Sequence, residues 1–290
     1  MPVSDFHAAV PDAPQPLSAQ GPAVRVPAET VRMENFSMRY FRFGHGERHL
    51  VILPGLSVQS VMESAQAVAS AYAMFAETFT VTVFDRREEM PPDYTVADMA
   101  ADTAEAMAAL GMSEVCLFGA SQGGMIAMLI AAEHPALVSR LALGSTAARL
   151  DPERAGILRE WVRLADAGDA EGLYLAFGEA VYPEKLFALS RGLLREAAKA
   201  VTPEELARFS RAARGTDGYN AEKALAAVRC PVLVLAASDD RVLGPDAAEG
   251  IARILGGRPD FSMHVYTGYG HAAYDTAPDY KERLYRFFTA

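Results

Sequence analysis

The sequence predicts an α/β protein with a mostly parallel central sheet flanked by helices and one inserted all-helical segment. From residue 31 onward, short apolar segments typical of buried strands alternate with longer segments of helical periodicity. Between residues 147 and 222 the strand-like segments disappear, and only helical segments punctuated by prolines remain. Strands that alternate with helices at this spacing are typical of parallel sheets covered on both faces.

In the first half of the chain, strands are predicted where apolar and β-branched residues are bounded by turn residues. These segments are residues 31–43 (an antiparallel pair), 49–53, 80–84, 115–118 and 140–143. Helices are expected where small and apolar residues recur at helical spacing, over residues 60–79, 95–110 and 125–133. The start of the second helix is well marked, because Thr95 and Asp98 form a T-x-x-D capping signal.

The second half of the chain restores the alternation after the helical insertion. A strand over 231–237, a helix over 246–255, a strand over 261–266 and a terminal helix from His271 are predicted. The resulting organisation is a flexible N-terminal arm (1–25), a first core part (26–146), a helical cap (147–222) and a second core part (223–290). We expect the cap to cover the carboxyl edge of the sheet.

Composition excludes several classes of protein. The 290 residues carry a net charge of -10, which disfavours nucleic acid or an anionic membrane as the main partner. The two cysteines, Cys116 and Cys230, cannot build a disulfide scaffold, and the longest apolar run, residues 125–132, is far shorter than the ~20 residues of a membrane span. The first residues contain neither a basic start nor an apolar core, so we expect no signal peptide and a cytoplasmic location.

A nucleophile motif occurs at residues 119–123, Gly-Ala-Ser-Gln-Gly, which matches G-x-S-x-G. An apolar strand segment enters the motif and an apolar helical segment leaves it. A serine at so sharp a turn needs small neighbours, and Gly119 and Gly123 have no Cβ. The helix that begins at Gln122 would direct free N–H groups toward Ser121, which suits a developing negative charge.

With this strand-Ser-helix turn, the chain from about residue 31 to 290 resembles the serine-nucleophile α/β-hydrolase superfamily, including the helical cap after the sixth strand. The resemblance implies the order serine, acid, histidine, with the acid and the base on loops after later strands. Among the six histidines, His271 follows the last predicted strand and a glycine turn, and Gly270-His271 matches the family's Gly-His pattern. A serine hydroxyl needs such a base to become nucleophilic. His264, inside a strand, is expected to be a half-buried strand residue.

The acid should be a carboxylate at a neighbouring strand end, where the segment after residues 231–237 offers Asp239 and Asp240. The family pattern places the acid nine residues after the leading proline of the strand, which selects Asp240. Asp239 is then a solvated loop residue or a turn former.

The oxyanion hole is expected to use two backbone N–H groups. The residue after the nucleophile, Gln122, supplies one, and the resemblance assigns the other by position to Leu56. The chain departs from the family here, because Pro54-Gly55 replaces the usual His-Gly pair. It departs again at residues 85–89, Asp-Arg-Arg-Glu-Glu, which lack the glycines of the family's D-x-R-G-x-G loop. These residues are expected to form a solvated loop, with Asp85 packing at the strand end. The alternative is that Arg86 or Arg87 binds a substrate carboxylate.

The resemblance implies a serine hydrolase that cleaves a carboxylic ester, lactone or thioester of a small, largely apolar substrate through an acyl-enzyme. No metal-binding, P-loop or dinucleotide motif is present, so no cofactor is expected. The same triad also serves cofactor-free C–C hydrolases, perhydrolases or haloperoxidases, and acyltransferases. Some members of the fold bind ligands without catalysis, and the fold alone does not decide among these functions.

Overall fold

The computed structural model describes residues 26–290; the predicted flexible arm, residues 1–25, lies outside the described residues. Eight strands form one sheet in the order β1-β2-β4-β3-β5-β6-β7-β8. They are β1 (Ala28–Arg32), β2 (Ser37–Phe43), β3 (Arg48–Leu53), β4 (Phe79–Arg87), β5 (Val115–Ala120), β6 (Val138–Gly144), β7 (Val232–Ala237) and β8 (Phe261–Tyr266). Strand β2 runs antiparallel to both of its neighbours, and all other neighbouring pairs are parallel. The predicted fold class is therefore confirmed.

Helices occupy the connections between the strands. They are α1 (Ala65–Ala71), α2 (Val96–Ala109), α3 (Gln122–Glu133), α4 (Ala155–Asp166), α5 (Ala170–Val181), α6 (Glu184–Ala198), α7 (Pro203–Arg214), α8 (Glu222–Leu225), α9 (Asp246–Leu255), α10 (Ala273–Thr276) and α11 (Tyr280–Thr289). Helix α2 begins with the predicted capping box, in which the Thr95 hydroxyl accepts from the backbone of Asp98 while the Asp98 carboxylate accepts from that of Thr95. Among residues 26–290, no helix has the length and apolar character required to cross a membrane.

The helix predicted over residues 60–79 is only partly correct. Helix α1 is flanked by two 3-10 turns, Val61–Ser64 and Ala73–Phe75. Phe75 and Phe79 are both completely buried and pack against each other at the start of β4. Because Phe79 is the first residue of β4, where it pairs with Arg48 of β3, an uninterrupted helix cannot extend to residue 79.

Two hydrophobic cores lie on opposite faces of the sheet, as the alternation of side chains in a strand requires. On β3, Leu50 and Ile52 belong to the core that contains α11, whereas Val51 and Leu53 belong to the core that contains α2 and α3. Both cores exclude water almost completely, so β3, at the centre of the sheet, is apolar on both sides.

The helices α4 to α7 leave the core between β6 and β7, in the part of the chain predicted to be the cap. Helix α7 starts from a second capping box, formed by Thr202 and Glu205, with Pro203 at its first position. An isolated bridge between Arg149 and Asn220 joins the two ends of the insertion. The boundaries of the cap and of the two core parts stay a prediction.

Strand β4 is longer than its predicted range. It continues past Phe84 to Arg87, and Asp85 and Arg86 are only 6% and 5% exposed. The expectation of a solvated loop was wrong for Arg86, whereas Asp85 is buried at the strand as expected. An uninterrupted run without glycine or proline follows the apolar strand as far as Met90. Nothing in the local sequence therefore ends the strand at residue 84.

Gly123 allows α3 to pack against the end of β3, and this close approach predicts a selective effect on stability. A Cβ at Gly123 would overlap the backbone carbonyl of Leu53, whereas a Cβ at the exposed Gly192 in α6 would meet nothing within 4 Å. We expect Gly123→Ala to lower the free energy of unfolding by about 3 kcal/mol. In contrast, Gly192→Ala should raise it by about 0.5–1 kcal/mol through helix propensity. Urea denaturation of both variants measures this, and equal stabilities would contradict the packing argument.

Candidate active site

Ser121 stands alone between the end of β5 and the first turn of α3. Its backbone angles are φ 51° and ψ -121°, a region that non-glycine residues rarely occupy and that costs about 1–3 kcal/mol. The strained backbone is held from both sides. The Ser121 N–H donates to the carbonyl of Gly144 at 2.8 Å, and the Thr146 hydroxyl donates to the Ser121 carbonyl at 2.7 Å. The turn thereby presents the Ser121 hydroxyl at the carboxyl edge of the sheet.

His271 lies within hydrogen-bond distance of both other members of the predicted triad. Its Nε2 is 2.9 Å from Ser121 Oγ, and its Nδ1 is 2.8 Å from Asp240 Oδ2. An ionised carboxylate can only accept, so Nδ1–H donates to Asp240 and Nε2 remains to accept the hydroxyl proton of Ser121. His271 is 2% exposed, so bulk water is excluded from this hydrogen bond.

Asp240 is held as a buried carboxylate. Its second oxygen, Oδ1, accepts from the backbone N–H groups of Val242 at 2.8 Å and Leu243 at 3.0 Å. Burial acts to raise the pKa of Asp240, but His271 and these two amides outweigh it, so the pKa lies below its usual value. The group is therefore ionised at neutral pH and can orient the imidazole.

Asp239 makes different contacts from Asp240. Its two carboxylate oxygens accept from the N–H groups of Gly268 and Gly270, both at 3.1 Å. These glycines form the turn between β8 and His271, and both have positive φ. Asp239 therefore shapes the turn that carries His271 rather than contacting the imidazole. His264 lies half-buried in β8 with its ring against Tyr266.

The two backbone N–H groups predicted for the oxyanion hole belong to segments that meet beside Ser121. Gly55 packs so closely that a Cβ there would lie 3.1 Å from the Cβ of Ser121. Leu56 follows in the same loop and lines one cavity together with Ser121, Gln122 and His271. Gln122 is the first residue of α3, so its N–H has no acceptor within the helix.

The cavity at Ser121 is small, with a volume of ≈ 20 Å³, and has mainly apolar walls. Side chains of the inserted helices form part of it, namely Leu158, Trp161, Phe177 and Val181. Four residues, Leu56 and Tyr274 among them, also line a larger recess of ≈ 430 Å³ beside it. Of the aromatic residues in the insertion, Tyr174 and Tyr182 line this recess, while Phe209 is buried in the core.

Arg86, considered from the sequence as an alternative ligand for a substrate carboxylate, is buried next to these segments. Its guanidinium donates to the carbonyl of Pro54 at 2.8 Å and to the side-chain oxygen of Gln122 at 3.2 and 3.3 Å. The neighbouring Asp85 pairs with Arg208 of α7 at 2.8 Å and accepts from the Ser60 hydroxyl. The apolar strand segment continues into Asp85 and Arg86 without a turn residue. This continuity is the sequence signal that could have predicted the burial of Arg86 beside Asp85.

The two cysteines are not alternative nucleophiles in this site. Cys116 is buried in β5 and Cys230 is partly buried before β7. Burial raises the pKa of both thiols, that of Cys230 to about 11, so neither is a thiolate at neutral pH.

The fold agrees with the family comparison. A family model described as alpha/beta hydrolase fold matches residues 48–278, which is most of the chain. The protein therefore belongs to the α/β-hydrolase fold family.

Individual relatives are more distant. The chain is 26% identical over 219 residues to the protein named "Putative carbamate hydrolase RutD" of Escherichia coli O157:H7, covering 71% of this chain and 80% of that protein. Among solved structures, the α/β hydrolase MGS-M2 from a Medee basin deep-sea metagenome library matches with a TM-score of 0.80 at 18% identity, over 90% of this chain and 98% of that one. The enol-lactonase from Burkholderia xenovorans LB400 matches with a TM-score of 0.76 at 17% identity, over 90% and 100% of the two chains. At these identities the solved structures show a shared fold only.

The lowered pKa of Asp240 predicts how stability depends on pH. Because the folded-state pKa lies below the ordinary value of 3.8, the unfolded chain binds more protons at this group in acid. The stabilisation from ionised Asp240 is therefore complete above the ordinary value and is lost as the pH falls through the lowered one. We expect the stability of the wild type, measured relative to Asp240→Asn by urea denaturation, to decrease below about pH 4. A stability difference that is constant from about pH 7 to 3 would contradict this.

Proposed function

We propose that this protein is a serine hydrolase that cleaves a carboxylic ester, or a related lactone or thioester, with a small and largely apolar acyl group. The hydrogen-bonded line from Ser121 through His271 to Asp240, open to an apolar cavity, is the observation that supports this proposal most strongly. An enzyme of this kind needs an activated nucleophile, an oriented base and a site for the acyl group. The cavity at Ser121 is small, ≈ 20 Å³ in volume, and its apolar walls support a small and largely apolar acyl group.

In the proposed acylation step, Ser121 Oγ attacks the carbonyl carbon while His271 Nε2 takes the hydroxyl proton. The carbonyl oxygen becomes an oxyanion that accepts from the N–H groups of Leu56 and Gln122. The bond from the carbonyl carbon to the leaving group then breaks, and His271 gives its proton to the departing oxygen or sulfur. Asp240 stabilises the imidazolium that exists between these two transfers.

In the proposed deacylation step, water replaces the leaving group. His271 takes a proton from the water, whose oxygen attacks the acyl carbon of the ester formed on Ser121. The tetrahedral oxyanion forms in the same place, the bond to Ser121 Oγ breaks, and His271 returns the proton to the serine. The carboxylic acid leaves, and the enzyme is restored without any cofactor. The helices α4 and α5 act in this proposal as a cap that shields the reaction from bulk water.

Labelling by a fluorophosphonate tests whether Ser121 is activated. We expect the wild type to be labelled and to hydrolyse short-chain aryl esters, and Ser121→Ala to lose both, with a decrease in kcat of at least ~10³-fold. Ser57 is a matched control, since it lies beside the cavity but donates its hydroxyl to the backbone of Gln59. Ser57→Ala should keep both properties. A folded wild type that takes no label would favour a ligand-binding member of the fold instead.

The choice of acid and base is tested by paired substitutions. We expect His271→Ala and Asp240→Asn to lower kcat for an aryl ester by about 10²–10⁴-fold, because the imidazole is removed or loses its orienting carboxylate. His264→Ala and Asp239→Asn should each change kcat by less than about tenfold, since neither side chain touches Ser121 or His271. Steady-state kinetics measures all four variants. Retained activity in Asp240→Asn with loss in Asp239→Asn would reverse the assignment.

A further inference from the structure

The Arg86 guanidinium is buried at the end of β4 and connects two segments that are separate in sequence. One acceptor is the carbonyl of Pro54, two residues before Leu56, and the other is the side-chain oxygen of Gln122. Under the proposed function, these two segments carry the two N–H groups of the oxyanion hole. The planar guanidinium of Arg86 therefore connects the two segments that carry these N–H groups, and its rigid arrangement of donors suits this role.

The carboxamide of Gln122 is held so that its oxygen faces Arg86. Its nitrogen donates to the carbonyl of Ala212 in α7 at 2.6 Å, which leaves the oxygen as the acceptor for the guanidinium. Helix α7 is also tied to the same strand end, because Arg208 pairs with Asp85 and donates to the carbonyl of Arg86 at 3.2 Å. The contacts of Arg86 are therefore part of a buried polar network and not isolated.

The burial of the charged Arg86 side chain costs free energy of desolvation. The side chain is part of a residue only 5% exposed, and no carboxylate of residues 26–290 lies within ion-pairing distance of its guanidinium. Burying a charge whose partners are neutral carbonyl groups is unfavourable unless the hydrogen bonds repay it. Burial lowers the pKa of Arg86 to about 10, so the group stays charged at neutral pH. A shorter or apolar residue would fill this place at less cost if packing were its only role.

We propose that Arg86 is a positioning residue that sets the N–H groups of Leu56 and Gln122 relative to each other for the developing oxyanion. This inference rests on the proposed function. Arg86 does not touch the substrate; it acts through the Pro54 carbonyl and the Gln122 side chain. Its loss should therefore weaken binding of the tetrahedral state much more than binding of the substrate.

The size of the effect follows from what an oxyanion hole contributes. Removal of one N–H donor typically costs about 10²–10³-fold in kcat, and a displacement of about 1 Å can cost about 10²-fold. Loss of Arg86 leaves both donors present but less well placed. We therefore expect a decrease in kcat of about 10–100-fold with KM changed by less than about threefold.

The test compares Arg86→Met with Arg87→Met in the full-length protein. Arg87 is the adjacent residue on β4, also largely buried, but it pairs with Asp102 and donates to the carbonyl of Asn35, away from Ser121. For each variant, kcat and KM for a short-chain aryl ester are measured together with the affinity of an aryl trifluoromethyl ketone, which forms a tetrahedral adduct with the serine. In Arg86→Met, kcat/KM and ketone affinity should fall by the same factor, whereas both should stay within threefold of the wild type in Arg87→Met.

Two further variants keep the proposal testable if Arg86→Met does not fold. Arg86→Lys retains one donor and should recover part of the lost kcat. Gln122→Met removes the side-chain acceptor but keeps the backbone N–H. In the double variant Arg86→Lys/Gln122→Met, kcat should decrease by less than the product of the two single decreases, because both substitutions act on the same contact. If Arg86→Met and Arg86→Lys keep the wild-type kcat, or lose kcat and ground-state affinity equally, the positioning role is wrong. If the wild type itself neither hydrolyses esters nor takes a fluorophosphonate label, the proposed function has failed instead.

Discussion

The strained backbone at Ser121 must be accommodated by the strands, the helix and the loops that surround it. A residue with φ 51° and a side chain can persist only where the surrounding backbone holds it. Here the carbonyl of Gly144 and the hydroxyl of Thr146 hold the turn, while Gly123 lets α3 approach the end of β3. Hydrogen bonds with β6 and with the loop after it offset the strain. The conformation of Ser121 therefore depends on contacts at the carboxyl ends of β3, β5 and β6.

The parallel sheet explains how distant residues converge on this turn. Strands β3, β5, β6 and β7 are parallel neighbours, so the loops after them leave from one edge. The loop with Leu56, the turn with Ser121 and the loop with Asp240 are therefore close in space, and β8 brings His271 to the same edge. The helical insertion also leaves from this edge after β6. Its side chains then complete the cavity with apolar walls, a combination common to small-molecule sites.

A second polar layer lies beneath the surface of the cavity at the end of β4. Asp85 and Arg86 are consecutive, yet one carboxylate faces Arg208 of α7 while the neighbouring guanidinium faces Gln122 and the Pro54 carbonyl. The side chains of consecutive strand residues point to opposite faces of the sheet. At the end of β4, both faces therefore carry a polar side chain with its own hydrogen-bond partners. The inserted helices are thus joined to the core by buried hydrogen bonds as well as by apolar packing, which couples the position of α7 to the turn at Ser121.

Local sequence patterns were enough to predict the alternation of strands and helices, the capping box at Thr95 and the glycine-flanked serine turn. These features depend on the periodicity and the conformational limits of short segments. The family pattern then singled out Asp240 and Leu56 by position. Which carboxylate faces His271 is settled by the folded structure, because Asp239 and Asp240 are adjacent in the turn after β7 and their contacts depend on how the turn after β8 packs against it. Likewise, the charges of residues 85–89 suggested a solvated loop, but Arg86 is buried against Gln122, which is 36 residues away in the chain. The partner of Asp85, Arg208 of α7, is more distant still. Local patterns cannot reveal such partners, because they meet only when the strands and the inserted helices have packed together.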